Sequence, residues 1–131
     1  VQIDLVALIV DRYDEAIRFF VDALGFELVD DEPALSDDGR VKRWVVVRPP
    51  GGSAGVLLAE ADGDAQRAAI GSQWAGRVGL FLRVDDFDVQ YRRMREHAVE
   101  FLEPPRDEPY GRVAVFVDVA GNRWDLLGPR P

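Results

Sequence analysis

The sequence predicts an α+β fold made of two βαβββ modules. Three observations carry it: an internal repeat, an apolar run before each copy, and a helical period after it. Val10-Asp11-Arg12-Tyr13-Asp14 returns 74 residues later as Val84-Asp85-Asp86-Phe87-Asp88. The runs before the copies, residues 5–10 and 79–84, have the length of a short strand. After the first copy, Ala16, Ile17, Phe20, Ala23 and Leu24 share one helical face; after the second, Phe87, Tyr91, Met94 and Ala98 do.

Each element has its own local signals. Asp11 and Asp85 stand where N-caps belong, and Asp14 and Asp88 favour the positive end of each helix dipole. Gly25 directly follows Leu24 and suits the left-handed residue that ends a helix. Strand-like runs follow at 26–30, 44–48 and 55–61, then at 99–103, 112–117 and 123–127. Between them stand Ser36-Asp37-Asp38-Gly39, Pro49-Pro50-Gly51-Gly52, Pro104-Pro105 and Ala120-Gly121-Asn122, all turn formers. One domain, 1–131, is expected: module 1 at 1–61, a joint at 62–77 with a short helix near 65–70, and module 2 at 78–131. Neither module buries a sheet face alone, so the two pair.

Composition excludes several functions. The chain has no cysteine, hence no disulfide, thiolate metal site or cysteine nucleophile. His97 is its only histidine, placed at the end of the second helix, and one imidazole cannot build a two-histidine centre. A net charge of −8 repels phosphate backbones and anionic membranes, so neither nucleic acid nor membrane is an expected partner. No apolar run approaches the roughly 20 residues that span a bilayer, and no leader pattern is visible. A cytoplasmic location is the expectation. No glycine-rich phosphate loop or Gly-x-Ser-x-Gly elbow is present. The carboxylates at 30–32 and 37–38 lack the spacing of a calcium loop and read as a solvated hairpin.

Several stretches together resemble the vicinal oxygen chelate superfamily of glyoxalases, bleomycin-resistance proteins and extradiol dioxygenases. They are Val6 to Ile17 with Phe19-Phe20, Leu24-Gly25-Phe26, Arg43-Trp44-Val45-Val46-Val47, Tyr110-Gly111, and Gly121-Asn122-Arg123-Trp124-Asp125-Leu126-Leu127. The resemblance implies curled mixed sheets forming a cup. In metal-dependent members, the first, fourth, fifth and eighth strands each send one ligand into it. Here those positions fall on Leu5, Leu57 or Leu58, Gly79 and Asp125. Leucine and glycine offer no side-chain donor, and one aspartate does not hold a divalent ion against water. No metal and no cofactor are expected.

Strand alternation gives the expected contents of the cup. Leu5, Leu58 and Phe81 form an apolar floor, Gly79 opens space, and Arg83, Arg123 and Asp125 supply charge, with Tyr110 at the border. Asp125 either pairs with Arg83 or Arg123 or meets a ligand directly. Trp74 in the joint is a candidate to stack on a flat ligand, whereas Trp44 is expected in the core. The leading expectation is a protein binding a small organic molecule, in the manner of the bleomycin-resistance proteins. The alternative is a lyase or dioxygenase-type enzyme, metal-independent with Asp125 as acid or base, or metal-dependent with an unusual ligand set. A degenerate structural or regulatory partner is the remaining reading. A homodimer is expected, because open sheets bury more against a second copy.

Overall fold

The computed structural model of the chain describes residues 1–35 and 37–131. Ser36, named above as a turn former, lies outside the described residues. The first module contains β1 (Leu5–Val10) and α1 (Tyr13–Arg18), which continues as a π-helical turn over Phe19–Ala23. Three strands follow, β2 (Glu27–Leu35), β3 (Val41–Arg48) and β4 (Gly55–Glu60). Their sheet order is β1-β4-β3-β2, with β1 parallel to β4. The joint holds α2 (Asp64–Ala69). The second module repeats the plan with β5 (Val78–Arg83), α3 (Phe87–Glu96), β6 (Glu100–Phe101), β7 (Arg106–Glu108), β8 (Gly111–Val117) and β9 (Arg123–Gly128). Its order is β5-β9-β8-β6, with β7 also on β8 and β5 parallel to β9. Both modules are βαβββ at heart, as the repeat predicts.

Local corrections have local causes. The strand expected at 99–103 shrinks to two residues, and a further short strand forms after Pro104-Pro105, whose rings remove two ladder donors. Asp11 is not the N-cap: Arg12 holds that position and makes no side-chain capping bond. The Tyr13 N–H instead donates to Glu60 Oε2 at 3.2 Å, a carboxylate brought from β4. On the second helix the cap is Asp86, one residue later than expected, accepting from the Val89 N–H at 3.2 Å. His97 is the C-cap, and its Nδ1 lies 2.9 Å from the Arg93 carbonyl. The chain then turns left-handed at Ala98 (φ 58°), which exposes Ala98 and lets Val99 take its place in the core. Gly25 adopts φ +80°, the left-handed conformation its position predicts.

One core serves both modules. Leu8, Val10, Val45, Val47, Val56 and Leu58 reach it from the first sheet; Leu82, Ala114, Phe116, Trp124 and Leu126 reach it from the second. Trp124 sits at the crossing, with ring centroids 5.8 Å from Phe20, 6.5 Å from Phe26 and 5.6 Å from Phe116. Polar contacts join the helices beside it. Gln90 Nε2 donates to the Leu24 carbonyl at 2.9 Å, and Arg93 Nε donates to the Asp22 carbonyl at 3.1 Å. The sheets thus share their helix-bearing sides; on the opposite faces Val46 and Val113 are buried, while Trp44 and Phe81 stand exposed. The joint ties the modules along one side. Gln73 Oε1 accepts from the Ile9 N–H at 2.7 Å and its Nε2 donates to the Ala7 carbonyl at 3.2 Å, so a side chain replaces a neighbouring strand at the free edge of β1. Among the described residues, no helix is long and apolar enough to cross a membrane.

Candidate functional site

On the second sheet, alternation sends Trp124 and Leu126 into the core and turns Asp125 the other way. Register completes the neighbourhood: Asp125 lies beside Phe81 on β5 and Val115 on β8. Phe81 is 62% exposed, a large apolar ring on an uncovered face. Asp125 Oδ1 is buried and has no hydrogen-bond partner. Burial pushes the Asp125 carboxyl up from its ordinary range, and the field of the Arg106 guanidinium opposes this in part.

Neither expected arginine meets that oxygen. Arg83 and Arg123 are exposed and make no hydrogen bond to Asp125 Oδ1. The nearer cation is Arg106, which the sequence analysis passed over. It bonds Glu108 at 2.9 Å, contacts Glu103, and is hydrogen-bonded with the Tyr110 side chain. Tyr110 itself is 64% exposed beside it, at the turn between β7 and β8. Arg106 is engaged by Glu103 and Glu108 and makes no hydrogen bond to Asp125 Oδ1.

Gly79 and Leu58 require correction. The expected space at Gly79 is filled: a Cβ there would stand 2.1 Å from Trp74 Cδ2, so the indole lies flat on the bare backbone. The joint has folded back over the strand, and only glycine admits it. Leu58 is 1% exposed and faces the core, opposite Leu8. The residue on the open face is Leu57, opposite Ala7. Leu5 is half-buried on that same face, its Cδ2 against Gly55. Trp44, expected inside, is 44% exposed, because Val45 and Val47 take the inward positions of β3.

The predicted residues therefore fall into two groups. Phe81, Arg83, Arg123 and Asp125 share the open face of the second sheet, Gly79 sits under Trp74 at the irregularity between Val78 and Leu80, and Leu5 lies on the open face of the first sheet. Among the described residues, no hydrogen bond or ion pair joins the two faces. The family's metal does not fit these residues. Three of the four ligand positions, Leu5, Leu57 and Gly79, carry no donor. No group of three His, Asp or Glu side chains comes together elsewhere among the described residues.

Two βαβββ modules with a shared core and uncovered, mostly apolar sheet faces define a scaffold class that hosts many chemistries. The chain belongs to the Glyoxalase/Bleomycin resistance protein/Dioxygenase superfamily, whose family model matches residues 2–126. A relative of uncharacterized function from Shewanella frigidimarina is 49% identical over 123 residues, covering 93% of this chain and 89% of that protein. TnmS3, an antibiotic binding protein from Streptomyces sp. CB03234, is 30% identical with a TM-score of 0.76, covering 98% of this chain and 96% of that one. A superfamily member from Sphaerobacter thermophilus is 28% identical with a TM-score of 0.70, over 98% and 97% of the two chains.

Proposed function

We propose that this chain is a cytoplasmic, metal-free protein that binds a small organic molecule on the open sheet faces, as a homodimer whose second copy covers them. One observation carries the reading: a buried, unpartnered carboxylate oxygen beside the exposed Phe81 ring. Such an oxygen costs free energy until a donor meets it. The protein supplies none, which leaves the role to a ligand carrying an N–H, O–H or positive charge. Phe81, Leu5, Leu57 and the half-exposed Trp74 offer the apolar contact, with Tyr110, Arg83 and Arg123 at the edges. Similarity to an antibiotic binding protein supports a small organic ligand. The raised carboxyl of Asp125 favours a second reading, a metal-independent enzyme in which it exchanges a proton with the bound molecule.

Thermal-shift screening of bleomycin and flat cationic aromatics, followed by calorimetry, tests the binding. Asp125→Asn keeps the volume and removes the charge, and is expected to weaken a cationic ligand by roughly 1.5–3 kcal/mol. A compound that binds parent and Asp125→Asn equally well overturns the site. Turnover of a bound compound that stops in Asp125→Asn decides for the enzyme. Light scattering is expected to give twice the chain mass of 14.6 kDa, and the monomer mass at micromolar concentration overturns the dimer.

A further inference from the structure

A cleft opens at the seam between the two sheets, lined by residues of the end strands β1 and β5 together with the start of β4. It is a cleft of about 400 Å³, within the size range of small-molecule sites. Its floor is the core itself: Phe26, Val56, Leu82 and Trp124 line it, each less than a tenth exposed. Val6 and Leu80 form its walls, and the exposed Ser53, Ala54 and Arg83 stand at its rim. Phe81 contributes to the lining from the strand edge, but the cleft is lined by Leu80, Leu82 and Trp124, which face away from Asp125.

Its electrostatics run against those of the molecule. The chain carries 24 acidic residues, yet no carboxylate lines this cleft. The one charged side chain there, Arg83, makes no hydrogen bond or ion pair among the described residues. The strand edge adds donors. β5 pairs only with β9, and the Val84 N–H donates to the Leu127 carbonyl at 2.8 Å. In a parallel ladder alternate residues bond to opposite sides, so the N–H groups of Phe81 and Arg83 point toward the seam. At the free edge of β1, Gln73 meets the backbone groups of Ala7 and Ile9, and its reach stops there.

We propose that this cleft is a binding site for an apolar monoanion, an aliphatic carboxylate whose chain lies on the core residues and whose headgroup meets Arg83 and the β5 edge. The floor is hydrocarbon and aromatic, so a polar ligand body would lose its water without replacement. A cation in a lining without a carboxylate favours negative charge, and a charge-assisted bond to a guanidinium is stronger than a neutral one. Phe81 and Arg83 border both this cleft and the open face, whereas Asp125 belongs to the open face alone and separates the two readings.

Decanoate is the probe, decan-1-ol its uncharged control, and calorimetry the measurement on the intact chain. Decanoate is expected to bind saturably at one per chain. Arg83→Gln is expected to weaken decanoate about tenfold and leave decan-1-ol unchanged. Ala54→Phe, a substitution at an exposed position, is expected to fill the cleft and abolish both while the melting temperature holds. Methyl NMR provides a readout without variants: decanoate should shift Val6, Val56 and Leu82 together. Asp125→Leu is expected to bind decanoate like the parent, so the two sites fail separately. Non-saturable uptake, unchanged binding by Ala54→Phe, or methyl shifts away from these three residues overturns the proposal.

Discussion

Two aspartates seven residues apart on the second module are both held above their ordinary range by burial, and they are treated in opposite ways. Asp118 is 5% exposed at the turn between β8 and β9. Its Oδ1 accepts from the N–H groups of Ala120 and Asn122, each at 2.9 Å, and its Oδ2 accepts from Trp124 Nε1 at 2.8 Å. Asp125 Oδ1 is buried and accepts from no group among the described residues. Where a buried carboxylate is structural, this fold surrounds it with donors, and one of them anchors the tryptophan at the centre of the core. Asp125 departs from that practice on a face left open. The contrast marks Asp118 as a scaffold residue and supports the proposal that Asp125 serves a ligand.

The largest expected effect breaks the scaffold half of the contrast. Asp118→Ala strands three donors, one of them the indole of Trp124, and is expected to cost roughly 3–5 kcal/mol in chemical denaturation. Asp118→Asn keeps one acceptor and should cost about half as much. A loss below ~1 kcal/mol in the alanine variant would show that Asp118 does not hold the turn.

Next in size is the boundary of the open face. Gly79→Ala places a methyl inside the Trp74 ring and is expected to destabilise by about 1–3 kcal/mol. In the background of Trp74→Ala the same change should be nearly neutral, a coupling read from a double-mutant cycle. Additive effects would mean that the indole does not rest on Gly79.

Asp125→Leu carries the opposite sign. Removing a carboxylate with a buried, unpartnered oxygen is expected to stabilise the unliganded protein by about 1 kcal/mol. The smallest effect sharpens the contrast through pH. A group whose carboxyl is raised on folding is not penalised while protonated, below its unfolded value of 3.8. Its penalty grows as pH rises from there and levels off once the folded carboxyl has ionised. The advantage of Asp125→Leu over the parent should therefore appear between those limits and stay constant above them. Asp31, Asp62 and Asp107, lowered by arginine partners, act in the reverse sense, with stability lost as pH falls. They are common to parent and variant and cancel in the difference. An advantage that is flat from pH 3 to 8 would show that Asp125 is no more buried folded than unfolded.

Much of this molecule follows from the sequence because its rules are short-range. Alternation of two set Trp124 and Leu126 against Asp125, and the period of 3.6 placed Phe20, Phe87 and Met94 in the core. The repeat at Val10 and Val84 marked both modules, and Gly25 marked the end of the first helix. Those periods act over a few residues, and each is dictated by the backbone. The tertiary structure alone decided which partners come from afar. Glu60 caps a helix 47 residues away, Gln73 completes the edge of β1 from 64 residues away, and Trp74 fills the space of Gly79. The register of β4, and with it the exchange of Leu58 for Leu57, is set by pairing with β1, which no pattern within Gly55–Glu60 encodes, since leucine stands on both faces. The seam cleft belongs to the same class. It exists because two sheets meet along edges that do not pair, and the distance between such edges is a property of the packed whole.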